Sequence, residues 1–157
     1  TLAEVLALVD GRVPLLIEVK DQDGSMGPDV GALEAAAARA LTGYQGPVAL
    51  MSFNPHSVAA LARLLPEIPR GLTTCDYRAE HYPGLPAATR DSLRGIPDFD
   101  RCGASFISHN WRDLDSPRVA ELRAAGVPVL CWTVRAPEDE TQARRVAHNI
   151  TFEGYPA

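Results

Sequence analysis

Glu18 and Lys20 are the residues whose type and spacing are best suited to chemistry. They close the run Pro14-Leu15-Leu16-Ile17-Glu18-Val19-Lys20, whose other members are apolar. Side chains alternate along a strand, so Leu16, Glu18 and Lys20 share one face and Leu15, Ile17 and Val19 the other. The aliphatic face is expected to pack on helices. That leaves the carboxylate and the ammonium pointing inward at the carboxyl end of the strand, where parallel α/β folds build their active sites. A carboxylate there can ligate a hard cation such as Mg²⁺ or Ca²⁺, and the ammonium beside it can hold a phosphate oxygen. The competing reading is a surface ion pair that only caps a strand. Two charges in a buried strand are costly without a use, which favours function.

Trp132 stands in Leu130-Cys131-Trp132-Thr133-Val134. By alternation it shares a face with Leu130 and Val134 and opposes Val129 and Cys131. If the latter pair faces the helices, the indole can serve as an apolar wall for a substrate; taken by itself, the residue reads first as a core tryptophan. Ser52, at the end of another apolar run, is a candidate substrate contact. Asn54, two residues on, reads better as a helix N-cap, with Pro55 at the first helical position. His109 ends a strand and, standing alone, reads as structural. His56, His81 and His148 show no metal-ligand spacing. Cys75, Cys102 and Cys131 form no CxxC pair, so neither a disulfide framework nor a zinc site is expected, and Cys131 reads as a small buried apolar residue.

The elements that must position these residues alternate regularly. Thr1 and Glu4 make a capping box for a helix in which Leu2, Val5, Leu6 and Val9 are spaced helically. Strands are expected over 14–20, 48–53, 70–75, 104–109, 127–134 and 149–152. Helices are expected between them, marked by Val30, Leu33, Ala37 and Leu41, by Val58, Leu61 and Leu65, by Ser116-Pro117 with Val119 and Leu122, and by Pro137 with its acidic first turn. The stretch 76–101 is least regular and is expected to hold a long loop and one poorly patterned helix. Alternating strands and helices imply a parallel sheet. Six strands against the eight of a closed barrel give the expected fold: a (β/α)₈ barrel lacking its first two strands, as a single domain over 1–157. A doubly wound sheet is disfavoured, because no Gly-rich phosphate loop follows any strand.

Composition narrows the partners. The formal net charge of −5 over 157 residues argues against nucleic acid. No apolar run approaches the length of a membrane span, and no signal peptide opens the chain.

Three blocks occur in order: Leu16-Ile17-Glu18-Val19-Lys20, Met51-Ser52-Phe53-Asn54 and Cys131-Trp132-Thr133-Val134. They resemble the "IEvK", "SFn" and "WTV" blocks of the glycerophosphodiester phosphodiesterases. Thr1-Leu2-Ala3-Glu4-Val5-Leu6 is similar to the "tLeEvL" helix that precedes the first block. Phe152-Glu153-Gly154-Tyr155-Pro156 resembles the family's closing "TD-P" segment, with Glu in place of Asp.

The resemblance implies a metal-dependent hydrolase, with Mg²⁺ or Ca²⁺, that converts glycerophosphodiesters to glycerol 3-phosphate and an alcohol. It maps the metal ligand to Glu18, a substrate contact to Lys20 and a pocket wall to Trp132. The family's Glu-x-Asp, His-Arg-Gly and His-Asp motifs precede the "tLeEvL" helix and do not occur here, so no catalytic acid or base is assigned. The chain alone is therefore expected to be inactive. It is also expected either to associate with another copy through its open strand edge or to retain a front fragment. A cytoplasmic, bacterial-type setting is expected. The alternatives are a non-catalytic βα scaffold or binding module and another barrel phosphohydrolase.

Overall fold

The first helix starts where the sequence provides a cap. Thr1 Oγ1 accepts from the Glu4 N–H at 3.3 Å, and the Glu4 carboxylate reaches back to the Thr1 amine. This closes α1 (Leu2–Val9), and Asp10, at φ 47°, ends it. The computed structural model describes residues 1–156. After α1 the elements run β1 (Leu15–Glu18), α2 (Ala32–Leu41), β2 (Val48–Ser52), α3 (Pro55–Leu64) and β3 (Arg70–Thr74). They continue with α4 (Ala87–Arg94), β4 (Phe106–Asn110), a 3₁₀ turn (Trp111–Asp113), α5 (Pro117–Ala124), β5 (Val129–Val134), α6 (Pro137–Ala143) and β6 (Asn149–Phe152). Six parallel strands alternate with helices and are hydrogen-bonded in chain order, β1 to β6. This is the βα repeat of the (β/α)₈ barrel class, as the strand pattern in the sequence implied.

The chain divides into two compact units. The first comprises Thr1–Gly71 and Asp98–Ala104; the second comprises Leu72–Pro97 and Ser105 onward.

In the first unit, β1 and β2 pair with Ile17 opposite Leu50 and Glu18 opposite Met51. Leu6, Val19, Leu41, Leu50 and Leu61 form a buried cluster, and Leu15, Ile17, Leu33 and Val48 pack against it. The aliphatic face of β1 therefore meets the helices, as alternation requires. Burying an aliphatic side chain of this size contributes about 1.5–3 kcal/mol. The strand itself ends at Glu18, so Lys20 lies just beyond it rather than inside it. Leu16, on the other face, is exposed.

In the second unit, β4 and β5 pair with Ile107 opposite Val129 and His109 opposite Cys131. Ile107, Val119, Val129 and Cys131 are fully buried. The pairing of β5 with β6 then slips: Cys131 faces Ile150, but Val134 faces Phe152. Three steps on one strand answer two on the other, so β5 carries one extra residue, a bulge. The expected alternation fails at that point. Val134 is fully buried like Val129 and Cys131, while Trp132 and Thr133 are half-buried. Val134 thus does not share an environment with Trp132.

The irregular stretch holds α4, none of whose residues is buried. The loop before it is pinned by Tyr77, fully buried, at φ 46°, and donating its hydroxyl to the Thr73 carbonyl at 3.3 Å.

Candidate functional site

Strand β1 carries Glu18 on the face opposite the core, and Lys20 follows two residues on, just past the strand end. The Lys20 Nζ lies 2.9 Å from Glu18 Oε1. The Lys20 side chain is 72% exposed and that of Glu18 only 21%. Glu18 Oε1 is itself buried and accepts no aligned hydrogen bond. The ammonium is thus exposed but ion-paired, while the carboxylate oxygen is held in a partly desolvated position.

The loop 21–31 that follows is tied down on both sides. The Asn54 side-chain amide donates to Asp21 Oδ1 at 2.7 Å and to the Gly27 carbonyl at 2.8 Å. Its Oδ1 accepts from the His56 N–H at 2.9 Å, capping α3 as the sequence implied. The second carboxylate oxygen of Asp21 accepts from the Met26 N–H at 3.0 Å. At the far end of the loop Glu34, only 3% exposed, accepts from the Gly31 N–H at 2.6 Å and from the Ser57 hydroxyl at 2.5 Å. A cavity of about 260 Å³ lies along this loop, lined by Lys20, Asp21, Gln22, Asp29, Gly31 and Glu34, among others.

Ser52 is fully buried, and its hydroxyl accepts from the Asn54 N–H at 3.1 Å. By alternation it follows Val48 and Leu50 on the face that packs on helices. Its local work is to shape the turn that presents Asn54.

In the second unit the Trp132 indole donates to the Ser108 carbonyl at 3.0 Å, reaching from β5 across to β4. His109, expected to be structural, is buried and bonded at both ring nitrogens. Nδ1 lies 2.8 Å from Thr74 Oγ1 and Nε2 lies 3.0 Å from Asp113 Oδ2. A carboxylate only accepts, so Nε2 carries the proton and the Thr74 hydroxyl donates to Nδ1. Burial holds the imidazole below its usual range, against the raising effect of the Asp113 carboxylate. Nothing in the sequence paired His109 with Thr74, because their contact crosses two strands 35 residues apart. The spacing from His109 to Asp113 was its only local signal.

The three cysteines are unpaired and buried. Burial pushes the Cys102 and Cys131 thiols up to about 11, so both stay protonated and inert near neutral pH.

Glu18 offers one buried carboxylate oxygen, faced only by the Lys20 ammonium and of the right donor type for a hard cation. Among the described residues, however, no group of three or more His, Cys, Asp or Glu side chains converges to hold a metal ion. Glu18 fits as one ligand. The described residues do not fit as a complete metal site, and no chemical step is derived through a cation.

A model of the glycerophosphoryl diester phosphodiesterase family matches residues 1–150. The chain belongs to that family. Solved structures agree at the level of fold. A glycerophosphodiester phosphodiesterase from Parabacteroides distasonis superposes with a TM-score of 0.67 at 18% identity, covering 97% of this chain and 59% of that one. A phosphodiesterase from Oleispira antarctica, solved with the product sn-glycerol-3-phosphate, gives 0.65 at 20% identity, with 96% and 54% covered. A Silicibacter pomeroyi protein named for the same activity gives 0.75 at 24% identity, with 96% and 52% covered. The chain thus spans between 52 and 59% of the length of these family structures. No curated protein matches it. Among the described residues, no helix of this phosphodiesterase family member is long and apolar enough to cross a membrane.

Proposed function

We propose that this chain is part of a metal-dependent enzyme hydrolysing glycerophosphodiesters to glycerol 3-phosphate and an alcohol. The carrying observation is the Glu18–Lys20 pair, set on the non-core side of β1 at its carboxyl end. Lys20 is the phosphate contact: an exposed ammonium neutralises charge on a diester and on its product. Glu18 contributes one oxygen to the coordination of Mg²⁺ or Ca²⁺, whose role in such hydrolysis is to neutralise charge on the phosphoryl group. Trp132 supplies an apolar wall to a bound substrate. Ser52 enters only through Asn54, whose position it helps to set.

The same reading holds that the chain alone is inactive. One carboxylate does not hold a hard cation tightly, and no side chain here takes the acid or base role needed at the leaving oxygen. A cytoplasmic setting fits three unpaired cysteines. Self-association through the terminal strand β1 belongs to the same proposal, as does a retained companion fragment.

The test is a titration of the purified chain with inorganic phosphate, following the Lys20 side-chain resonance by NMR. A saturable shift, lost in Lys20→Met, supports the phosphate role. A Lys20 signal indifferent to phosphate overturns it.

A further inference from the structure

Between α4 and the start of α5 the second unit holds a cavity of about 630 Å³. Charged side chains of both signs line it. Asp91 and Arg94 come from α4, Arg112 and Asp113 from the 3₁₀ turn, Asp115 from the link to α5, and Arg118 from the first turn of that helix.

Their bonds within the protein decide which of them a ligand can use. Arg94 and Asp91 answer each other: Arg94 Nη1 donates to Asp91 Oδ1 at 2.9 Å, and Arg94 Nε holds the Asp76 carbonyl at 2.8 Å. Asp113 accepts from His109 Nε2 at 3.0 Å. Burial disfavours a proton on that imidazole, so the Asp113 carboxylate keeps its charge. Arg112 lies 4.5 Å from the Trp111 ring centroid. Among the described residues neither Arg112 nor Asp115, both exposed, has an ion-pair partner. Arg118 Nη1 donates to Glu121 at 3.1 Å, but its Nε is buried and has no acceptor. A buried charged donor without an acceptor is costly, and a ligand oxygen removes that cost. Asp113 ties the cavity to the His109 face of β4. His109 lies opposite Cys131, whereas Asn110, on the other face, lies opposite Trp132.

We infer that this cavity binds a free α-amino acid as its zwitterion. Arg112 and the Arg118 Nε take the carboxylate, whose paired oxygens match guanidinium donors. Asp115 and Asp113 take the ammonium, which has only donors to offer. The volume exceeds what those two groups fill, so a side chain is admitted. A simple anion is opposed by Asp113 and Asp115, and a simple cation by Arg112 and Arg118. The inference stands apart from the phosphodiesterase reading, which uses none of these residues.

The experiment uses the whole chain, ¹⁵N-labelled, with the buried Arg118 Nε–H resonance as reporter, assigned by Arg118→Lys. L-Alanine, L-leucine and L-glutamine are titrated in turn. For each, the acid lacking the ammonium and the amine lacking the carboxylate are the controls, isocaproate and isoamylamine in the case of leucine. The expected result is a saturable shift with at least one amino acid, at a midpoint well below that of either control. Arg112→Gln and Asp115→Asn should each raise the amino-acid midpoint about tenfold, the effect of one lost charged hydrogen bond. Asp115→Asn should at the same time tighten the binding of the acid control. Both variants change exposed side chains, so the fold is kept. No saturable shift with any of the three amino acids overturns the inference. So does an acid control that matches its amino acid, or a midpoint that neither variant moves. Lys20→Met should leave the midpoint unchanged, so failure of this site and failure of the phosphate role at Lys20 are told apart.

Discussion

The Asn54 amide reaches back 33 residues to Asp21 and donates to its carboxylate at 2.7 Å. The same nitrogen holds the Gly27 carbonyl, and the Asn54 oxygen caps α3. One fully buried side chain thereby fixes the start of a helix and the loop next to Lys20. Asn54→Ala should remove all three bonds and leave the Asp21 carboxylate short of a donor. The expected loss is about 2–4 kcal/mol, a cap plus buried partners left unpaired. Urea denaturation measures it. Asn54→Asp keeps the cap oxygen but sets a second carboxylate against Asp21, and should be nearly as damaging. A loss below 0.5 kcal/mol in both variants would contradict the assigned network.

His109 makes stability fall in mild acid. Its native value is depressed by burial from the ordinary 6.5, so below that value the unfolded chain takes up a proton that the folded chain does not. The native state then binds fewer protons, and the contribution present above pH 6.5 is lost as pH falls toward the folded value. Midpoints of urea unfolding from pH 8 to pH 5 should decline in the wild-type chain. His109→Gln should be less stable throughout, with a flatter profile over that window. Parallel profiles would refute the role of the buried imidazole.

Added Mg²⁺ or Ca²⁺ should not give the isolated chain measurable turnover of glycerophosphocholine. Glu18 brings one carboxylate, and the described residues converge on no metal site. Release of choline, followed by a coupled assay at high enzyme concentration, is the measurement. Turnover that Glu18→Gln abolishes would show that this chain holds a working site after all.

Strand β1 ends the hydrogen-bonded order of the sheet. Leu15 and Val19 donate toward β2, so the backbone groups of Leu16 and Glu18 point to its open side. Exposed Val5, Leu8, Val13 and Leu16 stand in the same unit. Unprotected apolar edges recruit strands. Light scattering should show concentration-dependent association of the chain, or a co-purifying fragment seen by mass spectrometry. Leu16→Lys should reduce association. A wild-type monomer without a fragment at high concentration would refute it.

Much of this was legible from local signals. The capping box at Thr1, the Asn54-Pro55 helix start and the alternation in 15–20 depend on residues within a few positions of one another, and the fold honours each. The βα order then followed from the spacing of apolar runs. The buried polar bonds were not legible. Asn54 with Asp21, Glu34 with Ser57 and Thr74 with His109 are joined only when strands and helices come together, and residue type alone does not choose among many possible partners. The β5 bulge was invisible for a related reason: an added residue shows as a register slip against β6, and apolar composition reads the same either way. The exact end of β1 was missed because Val19 continues to bond with β2 after the ladder proper has closed.

The clamp on the loop 21–31 also says where the chain can be lengthened. Asn54 and Asp21 secure its first part, and the buried Glu34 secures Gly31 at its end. Between them residues 22–25 are exposed. A Cβ built at Gly24, which sits at φ +73°, meets nothing within 4 Å. A short Gly/Ser insert or an affinity tag placed after Gly24 would enter open solvent without pulling on either anchor. That makes the turn a grafting point from which a reporter could watch Lys20 at close range.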